Sequence, residues 1–214
     1  MKLELCIDVG ANYGEFIGSI TDLNLKSLAI EANPTLIKYL KKSFENFSYI
    51  SIINAALLDI EGEKDFYYNP QYSGSGSFSE KTALSGSMNK KQKVLKTKGI
   101  TTRLDRLIQR ELNVNPKHII LKIDAEGYDH LIFSSVLTIL GKCKWWRAII
   151  EFSPDSIKKN NLNPQKIWDE YNKFFGCIIK NKIELKKCKN IPFKLSKDYP
   201  KNGCDILIGK GIVD

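Results

Sequence analysis

The stretch Ile7-Asp8-Val9-Gly10-Ala11-Asn12-Tyr13-Gly14-Glu15-Phe16 decides how the chain reads. An apolar run from Leu3 to Val9 ends in a turn with two glycines, and an amphipathic stretch from Tyr13 to Leu23 follows at once. A buried strand turning directly into a helix has this pattern. Gly10 and Gly14 let backbone approach a ligand closely, and Asn12 is among the few non-glycine residues that tolerate a left-handed conformation. A dinucleotide site would need Gly-x-Gly-x-x-Gly, and neither the second nor the third glycine falls in place, so NAD is disfavoured. Asp8 would repel a pyrophosphate but favour a ligand carrying an ammonium or sulfonium group, and S-adenosylmethionine carries both.

The same rhythm continues outward. Ser27 to Ala32, Ser48 to Leu57, His118 to Asp124 and Ala148 to Phe152 read as short buried strands. Pro34 to Phe44, Leu104 to Leu112 and Tyr128 to Leu140 read as helices, with Pro34 at a first helical position. This alternation predicts a doubly wound α/β domain with a mostly parallel sheet covered on both faces. A helix over Gln165 to Phe175 and late strands at Cys177 to Leu185 and Asp205 to Ile208 are expected to close the sheet as an antiparallel C-terminal edge pair.

Asn69 to Met88 breaks the pattern. Ser73-Gly74-Ser75-Gly76-Ser77, followed by Lys90, Lys91, Lys93, Lys96 and Lys98, predicts a mobile loop that is either a solvated basic surface or a substrate-contacting flap. The expected organisation is one domain over 1–214 with no second core. It comprises a cofactor-binding part (1–68), a flexible insertion (69–99) and a substrate-side part (100–214).

With 214 residues, 43% of them hydrophobic, the chain can bury a full core, which excludes a disordered tail and a disulfide-stapled miniprotein. Its longest mostly apolar stretch, Leu131 to Leu140, falls far short of the roughly 20 residues of a membrane helix. Glu4 and Asp8 argue against an export signal, and five cysteines without a Cys-x-x-Cys pair fit thiols in the cytoplasm. A Cys177–Cys188 disulfide is disfavoured. The net charge of +9 is uneven: residues 1–80 carry 6 basic and 11 acidic side chains, and residues 81–150 carry 14 and 5. A cationic ligand near the N-terminal segment and an anionic partner elsewhere would suit this asymmetry, although solvated lysines explain it as simply.

Ligands of an open parallel sheet bind beyond the carboxyl ends of its strands, so those residues carry the chemistry. Glu31, about 20 residues beyond the glycine turn, is placed to accept hydrogen bonds from ribose hydroxyls. Asn54-Ala55-Ala56 offers small residues where an adenine would lie flat. Asp8, Gly10, Asn12, Tyr13, Gly14, Glu31, Ala32, Asn54 and Ala55 form the candidate cofactor set. Asp124 and Glu126 leave the next strand over the expected reaction centre. Either would orient or deprotonate a substrate hydroxyl, or hold an amino group of the cofactor; capping the next helix is the other use open to them. Glu151 and His130 are candidate substrate contacts, whereas His118 reads as structural. No metal is expected, because a hard cation needs several oxygens that the sequence does not place.

Taken in order, Ile7-Asp8-Val9-Gly10-Ala11-Asn12-x-Gly14, Glu31-Ala32-Asn33-Pro34, Asn54-Ala55-Ala56-Leu57 with Asp59 and Gly62, Thr102 with Leu104-Asp105, and Leu121-Lys122-Ile123-Asp124-Ala125-Glu126-Gly127 resemble the FkbM family of S-adenosylmethionine-dependent methyltransferases. The resemblance spans about residues 5 to 155. It implies a Rossmann-like class I methyltransferase fold and O-methylation, often of sugars, polysaccharides or natural products. The acceptor is then a small-molecule or glycan hydroxyl, with the basic segment hinting at an acidic one. Asp124 is the first candidate base and Glu126 the second. One rival is an amino-methyltransferase on nucleic acid, suggested by Asn69-Pro70-Gln71-Tyr72 and the positive charge, though the second proline of that motif is missing and a plain turn reads better. The other is a non-catalytic nucleotide-binding scaffold, against which the intact strand-end acids argue. Trp145 and Trp146 read as core packing rather than an interface.

Overall fold

The computed structural model describes residues 2–70, 72–85, 94–112, 115–179 and 195–211. The chain runs through β1 (Leu5–Val9), α1 (Glu15–Gly18), β2 (Ser27–Glu31), α2 (Pro34–Ser43), β3 (Ile50–Asn54) and β4 (Ala56–Leu57). There follow β5 (Gly62–Asn69), β6 (Tyr72–Ser77), α3 (Glu80–Ser85), β7 (Leu95–Thr102), α4 (Leu104–Glu111) and β8 (His118–Ile123). The last elements are α5 (Asp129–Lys142), β9 (Trp145–Phe152), α6 (Pro154–Lys159), α7 (Pro164–Tyr171), β10 (Phe175–Ile179) and β11 (Cys204–Lys210).

Seven strands form the main sheet in the order β10-β11-β9-β8-β1-β2-β3. Neighbours from β9 to β3 are parallel, and β11 runs antiparallel to both β9 and β10. The expected doubly wound sheet is therefore present, closed by an antiparallel pair in which β10, not the C-terminal β11, takes the outermost place. Chain order reverses at β1, so a crevice opens beyond the carboxyl ends of β1 and β8.

All five residues of β1 are buried, because both faces of the sheet are covered. Leu5, Ile7 and Val9 join the larger core with Leu121, Phe152 and Trp168, while Cys6 packs with Ala29 and Leu40 on the opposite face. Trp145 and Trp146 are buried, as core packing requires. Trp168 packs its ring 4.8 Å from that of Phe152 and donates its indole N–H to the Ser196 carbonyl at 2.7 Å. Truncating either ring to alanine costs about 3–5 kcal/mol. The entry to α2 follows its sequence: Pro34 occupies the first turn, and the Asn33 side chain accepts the Thr35 N–H at 3.0 Å.

Three expected elements are shorter, one of them the helix from Gln165 to Phe175, which ends at Tyr171 because Phe175 already belongs to β10. The helix from Tyr13 to Leu23 is one turn, Glu15–Gly18, and a 3-10 turn, Thr21–Leu23, because Gly14 at its start and Asn24 at its end are left-handed. The single strand from Ser48 to Leu57 is two, broken at Ala55, whose N–H turns to the Glu31 carbonyl at 3.2 Å.

The expectation of a mobile loop over Asn69 to Met88 is corrected where the chain is described: β6 and α3 occupy it, and β6 joins β4, β5 and β7 in a second sheet of order β4-β7-β5-β6. The Ser/Gly run misleads because smallness serves packing there. The buried Phe66 ring of β5 lies against Gly76, where a Cβ would stand 2.8 Å from it, and a strand glycine marks such a close approach. Lys96 and Lys98 of β7 both pair with Asp65, at 2.7 and 2.8 Å, as a solvated basic face does. Lys90, Lys91, Lys93 and Cys188, and with the last the disfavoured disulfide, lie outside the described residues; Cys6, Cys143 and Cys204 are free thiols. Asn69 and Tyr72 pair as the end rung of the β5–β6 hairpin, the turn expected there. Among the described residues no helix is long and apolar enough to cross a membrane.

Gly10 joins the two halves of the sheet. Its φ is +73°, and an added Cβ would stand 2.0 Å from the Asp124 carbonyl oxygen. Gly10→Ala is expected to lose on the order of 3 kcal/mol or more in urea unfolding. Gly62→Ala, where nothing lies within 4 Å of the added Cβ, should lose less.

Candidate active site

Beyond the carboxyl ends of β1, β2 and β8 lies an open cleft of about 730 Å³ including its mouth. Its floor is Val9, Gly10 and Asn12; one side is Glu31, Ala32, Ala55 and Ala56; the other is Asp124, Ala125, Glu126 and Tyr128. The second sheet supplies the remaining wall through Phe66, Ser73, Gly76, Ser77 and Phe78. The Phe78 and Tyr128 rings meet edge to face at 5.4 Å, linking that sheet to the start of α5.

Glu31 is nearly buried and fixed by its neighbours: one carboxylate oxygen accepts the Asn12 N–H and the other the Asn33 N–H, both at 2.8 Å. Burial raises its pKa above the ordinary glutamate value, against the pull of those N–H groups. A carboxylate has about four acceptor positions, so Glu31 keeps room for a further donor. Asn12 adopts the left-handed conformation expected of it, φ 50°, and its Oδ1 is buried without a hydrogen-bond partner.

The turn after β8 is sharp, with Glu126 at φ 51° and Gly127 at φ 91°. Asp129 holds it. Fully buried, it accepts the Ala125 N–H at 2.8 Å and the Gly127 N–H at 3.0 Å. Neither Asp124 nor Glu126 caps α5; Asp129 satisfies the turn instead, and this leaves both side chains on the cleft. Burial, reinforced by Glu151 and Asp124, pushes Glu126 up to about 8.

The other candidates stand behind the lining. Asp8 is wholly buried, with neither oxygen hydrogen-bonded, and burial pushes it up to about 6. Glu151 ends β9 with Oε2 buried and unpartnered; burial, then Asp129 and Asp124, pushes it up to about 8. His130 sits on α5, pulled down to about 4 by burial against the opposing influence of Asp59. Asn54 donates to the carbonyls of Glu31 and Ala32 at 2.9 and 3.3 Å, tying the ends of β2 and β3 together. Gly14 gives the Phe44 ring room, and Tyr13 is half exposed against Tyr39. Sequence reasoning missed Phe66, Phe78 and Tyr128, and it missed Asp129 as a turn-holder. An acid opening α5, two residues after Gly127, was the available signal for Asp129.

The fold and cleft define an α/β domain of the Rossmann-like class I methyltransferase type. The family model described as "Methyltransferase FkbM domain" matches residues 8–175, and the chain belongs to that family. Its cofactor is S-adenosylmethionine. Comparison with curated proteins gives no match. Among solved structures, the chain is similar to a precorrin-6y C5,15-methyltransferase from Geobacter metallireducens GS-15 (10% identity, 99% of this chain and 82% of that one, TM-score 0.44). It is also similar to a putative methyltransferase from Streptococcus mutans in complex with SAH (9%, 97% and 89%, TM-score 0.47). A third is the N-terminal domain of human METTL16 in complex with SAH (13%, 99% and 62%, TM-score 0.46).

The raised acids make stability depend on pH. Between their unfolded and folded pKa values the native state binds more protons than the unfolded one, so their contribution is complete below about pH 4 and is lost as pH rises. His130, lowered in the fold, acts oppositely but only between its folded value of about 4 and its unfolded value of 6.5. From pH 6.5 to 8.5 thermal stability should therefore fall, and Glu151→Gln should flatten the slope.

Proposed function

We propose that the chain is an S-adenosylmethionine-dependent O-methyltransferase acting on a hydroxyl of a sugar, glycan or small natural product. The observation that carries this reading is Glu126, a carboxyl group on the cleft whose pKa of about 8 suits it to take a proton near neutral pH.

The donor set fits the cofactor. The spare acceptor positions of Glu31 suit ribose hydroxyls, and the orphaned Asn12 Oδ1 awaits a donor. Ala32, Ala55 and Ala56 leave room for a flat ring. Gly10 brings backbone to the floor, while Asp8, Tyr13, Gly14 and Asn54 support the turn and strand ends from outside. Asp124, on the same wall as Glu126, is placed to hold the ammonium group. Bound there, the cofactor supplies an electrophilic methyl group on a sulfonium.

Catalysis is then mostly positioning. Of the two candidate bases, Glu126 suits the role better than Asp124, whose carboxylate is already engaged by Lys122 at 3.1 Å. Glu126 would take the proton of the acceptor hydroxyl, and the Tyr128 and Phe78 rings would exclude water beside it. Glu151 acts through Glu126 by keeping its proton affinity high. His130, set back on α5, supports that wall. Asn69 and Tyr72 pair across the β5–β6 hairpin, and a turn there accounts for Asn69-Pro70-Gln71-Tyr72 without nucleic-acid recognition.

SAH release should be assayed against a panel of hydroxylated glycans, acidic sugars and small molecules, with RNA and DNA included. Glu126→Gln should lower turnover about 10²–10⁴-fold while SAH affinity holds within about threefold. Turnover should rise with pH toward about 8, the value to which Glu126 is pushed; Glu151→Gln should move that rise to lower pH. Full turnover by Glu126→Gln would remove the base assignment, and methylation of nucleic acid alone would overturn the hydroxyl acceptor.

A further inference from the structure

Lys122 occupies the position on β8 directly beside Asp8 of β1, in the pair of strands that flanks the crevice. Its ammonium lies 3.7 Å from Asp8 Oδ1 and 3.1 Å from Asp124 Oδ2. The side chain is 22% exposed, so it is not a solvated surface lysine. It lies among carboxyl groups from every neighbouring element: Asp8 on β1, Glu31 on β2, Asp124 and Asp129 around the β8–α5 turn, Glu151 on β9 and Asp205 on β11. Burial alone would lower its pKa, but Asp8 and Asp124 more than offset this and hold it charged. Without that charge, Asp8 would be a buried carboxylate with no hydrogen bond and no counter-charge, and a buried unpaired ion takes up a proton instead. Asp124, roughly half exposed, would lose the contact that fixes its orientation.

We propose that Lys122 is a positioning residue of the cofactor site, bridging Asp8 to Asp124 so that the Asp124 carboxylate is held turned toward the cofactor's ammonium group. It touches neither acceptor nor methyl group and acts through Asp124. This inference rests on the reading of Asp124 given above.

The test is calorimetric titration of the full chain with SAH from pH 6.0 to 8.5, for the wild type, Lys122→Met, Lys122→Arg and Asp124→Asn. Lys122→Met should weaken SAH binding about tenfold at pH 6.5, the scale of one charge-assisted hydrogen bond. It should recover part of that loss at pH 8.5, where the buried Asp8 ionises without help and restores negative charge beside the site. Lys122→Arg, which keeps the charge, should bind within about threefold of wild type. A folded Lys122→Met protein with unchanged affinity, or with an equal loss at every pH, overturns the proposal. Should Lys122→Met fail to fold, as judged by circular dichroism, Lys122→Gln carries the same comparison. If Asp124→Asn leaves SAH binding unchanged, the reading of Asp124 itself fails. If Asp124→Asn weakens binding and Lys122→Met does not, only the role of Lys122 fails.

Discussion

The close approach of Gly10 to the backbone of Asp124 is the constraint on which the rest depends. The Asp124 N–H donates to the Val9 carbonyl at 3.1 Å, continuing the β1–β8 ladder to its last rung, and the space a side chain at residue 10 would need is filled by the Asp124 carbonyl. The two strand ends thus separate as late as the chain allows, and they diverge abruptly. One leads through Asn12 to α1 and the other through Glu126 to α5. The cleft opens where this divergence begins, with Asn12 on its floor and Asp124, Ala125 and Glu126 along one wall.

Because parallel strands all end on the same side, the acids that terminate them are gathered whether or not they attract one another. Asp8, Glu31, Asp124 and Glu151 come from four strands and share one neighbourhood. The protein limits their repulsion in three ways. Backbone N–H groups hold Glu31 and Asp129, Lys122 neutralises part of the charge at the centre, and Glu126 and Glu151 retain protons to higher pH than free carboxyls do. The result is a site rich in acceptors that carries less negative charge than its composition suggests.

What the sequence made legible was local. The glycine turn, Glu31 and the Asp124–Glu126 pair are each read from a few consecutive residues, and strand-end chemistry in a parallel sheet is local by construction. What it hid was relational. The small residues of β6 make sense only against Phe66, which lies on a different strand. The helix Pro154–Lys159 was not foreseen, and Ser156 within it packs where a side chain on Gly127 would go, 2.7 Å from an added Cβ. Lys122 reads as one letter of a motif until the register sets it beside Asp8.

That register has a further consequence for how the molecule comes into being. β1 finds β2 nearby in the chain, and β5, β6 and β7 are joined by antiparallel pairings close in sequence, so these parts assemble through short loops. The pairing of Leu5 with Ile119 closes a loop containing most of the N-terminal half of the protein, and long closures of this kind are entropically the slowest to be met. During synthesis the first strand is made early and must keep one edge open until β8 leaves the ribosome. The cleft therefore appears only once β8 has joined β1, and the ability to hold a ligand there reports that this long-range pairing has been made.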